Sequence, residues 1–210
     1  MMRPARAALA MFLVTVCVPA PCVGLLAQSA DALVSMYERP ERVAALQIDR
    51  VIDTLKINAA TAVADVGAGS GVFSRPLARR IGSRGVVYAA DIDAALLQHI
   101  ETTARQQGLA NLKTVLADPS DPKLPEPVDL VLMVDVLHQI GNRVPYLTTL
   151  RNYLKPGGRV AVIDLTNNWP SRPDMRYTAD DLPRLMTSAG FRELERYDFV
   201  AGHFFMIFGR

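Results

Sequence analysis

Cysteine is nearly absent from this chain. Its 210 residues include two, Cys17 and Cys22, and both fall within the first 30. The remainder can hold neither a disulfide framework nor a thiolate metal site. Nothing else in the chain calls for a metal. An excess of one charge is also missing. Of 23 basic residues, Arg3 and Arg6 lie near the amino terminus, and residues 31–210 carry 21 basic against 21 acidic side chains. No dense basic patch is visible, which gives no support for a nucleic-acid partner. There is no internal repeat and no low-complexity linker. What is present is ordinary for a globular protein, with 50% hydrophobic and 21% charged residues. The length suits one domain with a substantial core, read here as residues 30–210.

Residues 1–29 read as a leader. Arg3 and Arg6 precede an uncharged stretch from Ala7 to Ala30, whose apolar centre runs from Ala7 to Val18. Pro19 and Pro21 would disrupt a continuing helix. Ala27 and Ser29 flank Gln28, so cleavage is expected before Ala30. The expectation is an exported protein, periplasmic or secreted. An uncleaved membrane anchor is the alternative, and membrane contact is expected only through this segment. A lipoprotein would be acylated at Cys22, but Pro21 stands where a small residue is expected. Translation from Met36 would instead leave a cytoplasmic protein.

The densest information lies at Val63-Ala64-Asp65-Val66-Gly67-Ala68-Gly69-Ser70-Gly71. An apolar run ends in an acid, and three glycines then alternate with small residues. Glycine permits a tight backbone turn that lies close against a ligand. Asp91 ends a second apolar run twenty residues after Gly71. A carboxylate at the tip of a neighbouring strand can accept hydrogen bonds from both hydroxyls of a ribose. Apolar runs predict strands near 61–66, 85–91, 112–116, 128–134 and 158–164, and helical patterns fall near 72–82, 93–107, 143–154 and 178–189. This alternation implies a parallel sheet with right-handed crossovers. The tail differs. Residues 191–199 and 202–208 are strands too close in sequence for a crossover, so they pair antiparallel. Before the first strand, Pro40 suits a helix start, and Val43, Leu46, Ile48, Val51, Ile52 and Leu55 suggest a helix packed on the sheet.

These residues resemble the class I S-adenosylmethionine-dependent methyltransferases, whose first motif reads acid-x-G-x-G-x-G. The dinucleotide pattern G-x-G-x-x-G is spaced differently, and an acid at Asp65 would repel a pyrophosphate. The resemblance runs from about Asp65 to the carboxyl terminus. It includes Asp91, Ala117-Asp118, the run Asp129 to Asp135, and the turn Leu154-Lys155-Pro156-Gly157-Gly158-Arg159. It implies a Rossmann-like α/β fold, with a mostly parallel seven-stranded sheet, a carboxyl-terminal antiparallel hairpin and helices on both faces. It implies S-adenosyl-L-methionine as cofactor and a small-molecule acceptor. Gly67, Gly69 and Gly71 would turn under the methionine moiety, and Asp65 would help to hold its amino group or else cap neighbouring amides. Asp91 would hold the ribose and Asp118 the adenine amine, with Asp121 a competing carboxylate. Asp93 could simply cap a helix. Asp135 joins the cofactor-binding set at the head of the loop that faces the methyl group.

That loop continues to His138, a general-base candidate whose side chain titrates near neutrality. It could equally shape the pocket. The loop lacks the prolines and aromatic of the enzymes that methylate DNA bases. Absence of body cysteines also argues against the arsenite-methylating branch. His99 reads as a surface or interface residue, and His203 as a substrate-side candidate. Tyr37, Arg39 or Arg42 could close over the cofactor, and Trp169, Met175 and Tyr177 could cover the acceptor. Two other functions fit less well: a non-catalytic protein that binds the cofactor or its demethylated product, and a nicotinamide-dependent oxidoreductase. Neither the acceptor nor the oligomeric state is legible.

Overall fold

The computed structural model of the protein describes residues 29–166 and 176–210. The expected leader up to Gln28, and Trp169 and Met175, which were expected to cover the acceptor, lie outside the described residues.

Three helices come first, α1 (Ala30–Tyr37), α2 (Pro40–Ala45) and α3 (Ile48–Thr54). Strand and helix then alternate through β1 (Ala62–Val66), α4 (Ser74–Ile81), β2 (Val86–Asp91), α5 (Ala94–Gln106), β3 (Leu112–Leu116) and β4 (Val128–Val134). After a 3-10 turn at Leu137–Gln139 come α6 (Arg143–Asn152), β5 (Leu154–Leu165), α7 (Leu182–Ser188), β6 (Arg192–Tyr197) and β7 (His203–Gly209). The seven strands form one sheet in the order β3-β2-β1-β4-β5-β7-β6. The first five are parallel. The hairpin β6–β7 adds antiparallel to β5. The sheet and its hairpin are those expected from the alternation of apolar runs and from the short connection in the tail.

Burial explains the strand sequences. Every residue of β1 is buried, as in a parallel strand covered on both faces. Along β4, Leu130 and Leu132 join one core with α4 and α5, while Val131 and Met133 join the other with α6 and α7. This two-residue period distributes one strand between two helical layers. In α4, Ser74, Leu77, Ala78 and Ile81 form the buried stripe, and Gly82 ends the helix at φ 69°.

The amino-terminal helix differs from expectation in two ways. The pattern from Pro40 to Leu55 is not one helix: it breaks at Gln47, whose φ is 47°. On a continuous helix Leu46 and Ile48 would point some 200° apart. The break lets Leu46 bury fully while Ile48 packs against the same core. Gln47 Nε2 is anchored on the carbonyl of Phe199. Helix α1 has no counterpart in the sequence reading. None of its residues is fully buried, so it leaves no apolar stripe to find.

The sheet order also fixes the site. Strand β1 is followed in the chain by β2 on one side, while β4 lies on the other side. Connections diverge there, which opens a crevice at the carboxyl ends of β1 and β4.

Candidate active site

The glycine turn follows β1 and is held to the end of β2. The Gly67 and Ala68 amides both donate to the Ala90 carbonyl, at 2.8 and 3.1 Å. Gly67 has φ 70°, and a Cβ there would lie 2.2 Å from Val136 Cγ2. Only glycine lets the turn reach the loop after β4 so closely. A Cβ on Gly69 would meet the ring of Tyr37 at 3.3 Å.

Asp91 closes β2 beside this turn. One carboxylate oxygen accepts from the Gly69 amide at 2.8 Å, the other from the Asp93 amide at 3.0 Å. Burial pushes its carboxyl above the usual range, against the pull of those two amides. Each oxygen keeps a second lone pair for a hydroxyl donor. Asp93 caps α5, accepting from the Ala95 and Leu96 amides at 2.8 and 3.4 Å. The next residue after Asp91, Ile92, is 62% exposed, and Leu116, the partner of Asp91 on β3, is 58% exposed. Two large apolar side chains facing water beside an acid suit a flat base, and the sequence reading passed over both.

Asp65 lies deeper, 3% exposed. It accepts from the Ser74 hydroxyl at 2.5 Å, at the start of α4. Burial raises its carboxyl to about 6, opposed by Ser74 and reinforced by the charge of Asp91. The carboxylate is thus tied to the first turn of α4 through a hydroxyl. Asp118 follows β3 and exchanges backbone hydrogen bonds with Asp121. Its carboxylate is half-exposed and paired with Lys123 at 2.5 Å. Asp121 is occupied elsewhere, accepting from the Lys123 amide and the Tyr153 hydroxyl.

Asp135 follows β4 with φ 56°, a strained value for a residue with a Cβ. One of its oxygens accepts from Arg42 at 2.7 Å, and the other contacts His203 Nε2 at 2.9 Å. Burial would raise its carboxyl, but the bonds and charges of His203 and Arg42 outweigh that and hold it below the usual range. His203 Nδ1 faces the Ala201 carbonyl at 2.9 Å. Both ring nitrogens therefore face acceptors, which requires the doubly protonated ring. The His203 pKa is accordingly raised: Asp135 and the Ala201 carbonyl overcome burial, which acts in the other direction.

His138 stands in the 3-10 turn beyond. Its Nδ1 lies 2.6 Å from an oxygen of Asp164, and its backbone amide donates to the other oxygen at 3.1 Å. Asp164 is 1% exposed and also accepts from the Tyr177 hydroxyl at 2.8 Å and the Leu165 amide at 2.8 Å. Burial, then Asp164, push the Tyr177 hydroxyl far above the ordinary tyrosine value. Arg143 stacks over the Tyr177 ring at 4.8 Å. Asp164 was missed, although its signal matches that of Asp91: an acid closing an apolar run. His99 lies on α5 against α1, with Nε2 3.6 Å from Glu38.

Gly67, Gly69, Asp91, Asp135 and His138 thus gather at the carboxyl ends of β1, β2 and β4. Two open grooves of about 280 Å³ lie between the amino-terminal helices and α4, and neither is lined by any of these residues. The carboxyl-end crevice is instead spanned by Tyr37 and Arg42.

A family profile described as a methyltransferase domain matches residues 57–197. The chain belongs to the methyltransferase family. With it, the chain is placed among the S-adenosylmethionine-dependent methyltransferases. It is 26% identical to a ubiquinone/menaquinone biosynthesis C-methyltransferase of Hahella chejuensis, over 81% of this chain and 72% of that protein. It is 28% identical to an aklanonic acid methyltransferase of Streptomyces sp. strain C5, over 53% of this chain and 51% of that one. Several such alignments thus span only about half of the relative. A crystal structure of a SAM-dependent methyltransferase from Aquifex aeolicus superposes with a TM-score of 0.77 at 20% identity, covering 87% of this chain and 99% of that one. That likeness shows a shared fold. The residues present fit the cofactor: the positive-φ glycines make the tight turn beside β2, and Asp91 can still accept from hydroxyls.

Proposed function

We propose that this methyltransferase acts on a small organic acceptor and that His138 is its general base. The carrying observation is the His138–Asp164 pair beside the glycine turn and Asp91. With a ring proton held between Nδ1 and Asp164, Nε2 would be the nitrogen that acts as base. Asp164 is held by four contacts, so the imidazole is fixed before an acceptor arrives. His138 then takes up the proton that an acceptor hydroxyl, amine or acidic carbon loses as it becomes nucleophilic. When bound, S-adenosylmethionine supplies an electrophilic sulfonium methyl group. Asp91 would hold the ribose through its two oxygens, and Asp118, Ile92 and Leu116 would border the adenine. The glycine turn lets the backbone lie against the methionine moiety, and the residues around it contribute alignment and exclusion of water. The relatives named for ubiquinone/menaquinone biosynthesis and for aklanonic acid methylation support a small acceptor. We also propose export directed by residues 1–29, on the order of Arg3, Arg6, apolar centre and Ala27-Gln28-Ser29.

The test is calorimetry with S-adenosylmethionine, S-adenosylhomocysteine and NAD. It is paired with transfer of labelled methyl groups to a panel of phenols, hydroquinones and amines. Binding of the first two ligands with turnover on the panel is the expected result. Tighter binding of NAD would overturn the reading.

A further inference from the structure

Tyr37 and Arg42 lie before residue 57, outside the segment matched by the family profile, yet both sit on the crevice. Ordinary core burial does not hold α1 there, since none of its residues is fully buried. Polar ties do. The Glu38 carboxylate accepts from Arg75 at 2.7 Å, and a second nitrogen of Arg75 donates to the Ser70 carbonyl in the glycine turn at 2.6 Å. One nitrogen of Arg42 donates to the Tyr37 carbonyl at 3.1 Å, and another to Asp135 at 2.7 Å. The junction of Tyr37 and Glu38 is thereby fastened to the glycine turn on one side and to the end of β4 on the other. It crosses the crevice between them. Arg42 and Arg75 are 26% and 12% exposed, so water competes only partly for these bonds.

The ring of Tyr37 lies against Gly69. The Arg42 guanidinium that pairs with Asp135 also lies over this ring, 5.6 Å from its centroid. Burial first, and then the charge of Asp91, raise the Tyr37 hydroxyl above its ordinary value, against the opposing charge of Arg42. We propose that residues 37–42 form a strap over the cofactor, in which Tyr37 contacts the ligand and Arg42 is the positioning residue that clamps it. The proposal rests on the S-adenosylmethionine reading above. An electron-rich ring attracts a cation, so Tyr37 favours the sulfonium form over the neutral thioether. A clamp resists ligand exit more than it hinders entry.

The test is surface plasmon resonance on the full chain, with S-adenosylmethionine and S-adenosylhomocysteine as analytes. Tyr37→Leu is expected to raise Kd roughly tenfold for S-adenosylmethionine and about threefold for S-adenosylhomocysteine. Tyr37→Phe keeps the ring and should stay within about twofold of wild type. Arg42→Gln should speed S-adenosylhomocysteine dissociation roughly tenfold, with association within about threefold. If wild type binds while both Tyr37→Leu and Arg42→Gln keep wild-type Kd and dissociation rate, the strap is refuted and the cofactor reading stands. Losses equal in Tyr37→Phe and Tyr37→Leu, or carried by association alone, refute it as well. If wild type binds neither ligand, strap and cofactor reading fall together.

Discussion

Asp65→Asn is a perturbation whose size follows from one buried group. Asp65 titrates at about 6 in the folded chain, against an ordinary value of 3.8. A carboxyl raised on folding binds its proton more tightly in the native state. Stability is therefore fully present below the unfolded value and falls as pH rises through the window from about 3.8 to about 6. A shift of that size corresponds to about 3 kcal/mol, of which about 2–3 kcal/mol falls between pH 4 and pH 7. Asparagine does not titrate. It can still accept from Ser74, while its amide group adds a cost that does not vary with pH. The informative quantity is thus the difference between variant and wild type as a function of pH. Urea unfolding at pH 4, 5, 6 and 7 should show the variant gaining about 2–3 kcal/mol on wild type across that range. Asp91, also raised by burial, is coupled to Asp65 and shifts the same way. Parallel curves for the two proteins would show that Asp65 is not strained by its burial. Binding of S-adenosylhomocysteine to the same variant reads the amino-group role, with roughly a fivefold loss expected if that charge acts on the amine.

Asp91→Asn should raise the S-adenosylhomocysteine Kd about thirtyfold to hundredfold, because the amide cannot accept from Gly69, Asp93 and both hydroxyls at once. Asp93→Ala should change that affinity by less than about threefold while costing about 1 kcal/mol of stability, as a lost helix cap does; equal effects of the two changes on calorimetry would misplace the ribose. His138→Ala should lower turnover roughly a hundredfold with cofactor affinity unchanged, and wild-type turnover would reduce His138 to pocket lining. Mass spectrometry of protein from its native host should find a mature start near Ala30, and an intact leader on soluble cytoplasmic protein would contradict export. Ser29, which cleavage there removes, accepts from the Ala32 amide at the start of α1, so fraying of α1 by about one turn should follow.

Legibility in the sequence followed the range of the interactions. The sheet was readable because each strand is a local apolar run and each crossover a local helical stripe. The hairpin was readable because too few residues separate β6 and β7 for any other pairing. Asp91 and the glycine turn were readable for a similar reason: strand, turn and acid lie within one short stretch. What the sequence does not carry is how the candidate residues meet across the fold. Arg42 reaches Asp135 over 93 positions, and Asp135 reaches His203 over 68. No period or spacing encodes such pairs, since they depend on where β7 joins the sheet.

Asp164 shows where the limit lies. It carries the same local mark as Asp91, an acid ending an apolar strand. Nothing nearby in sequence distinguishes an acid that faces a ligand from one that is buried and orients a histidine 26 positions away. Asp164 is 1% exposed, and its four contacts all turn its oxygens toward protein groups. Removing one partner of such a buried charge costs more than the bond itself, because the other is left unpaired. The Asp164 side chain is thus constrained from several sides at once. A histidine gripped through both its ring and its backbone amide is fixed in orientation before any acceptor binds. Preorganisation of this kind comes from packing, and it is the part of the site that a motif, read one residue at a time, does not contain.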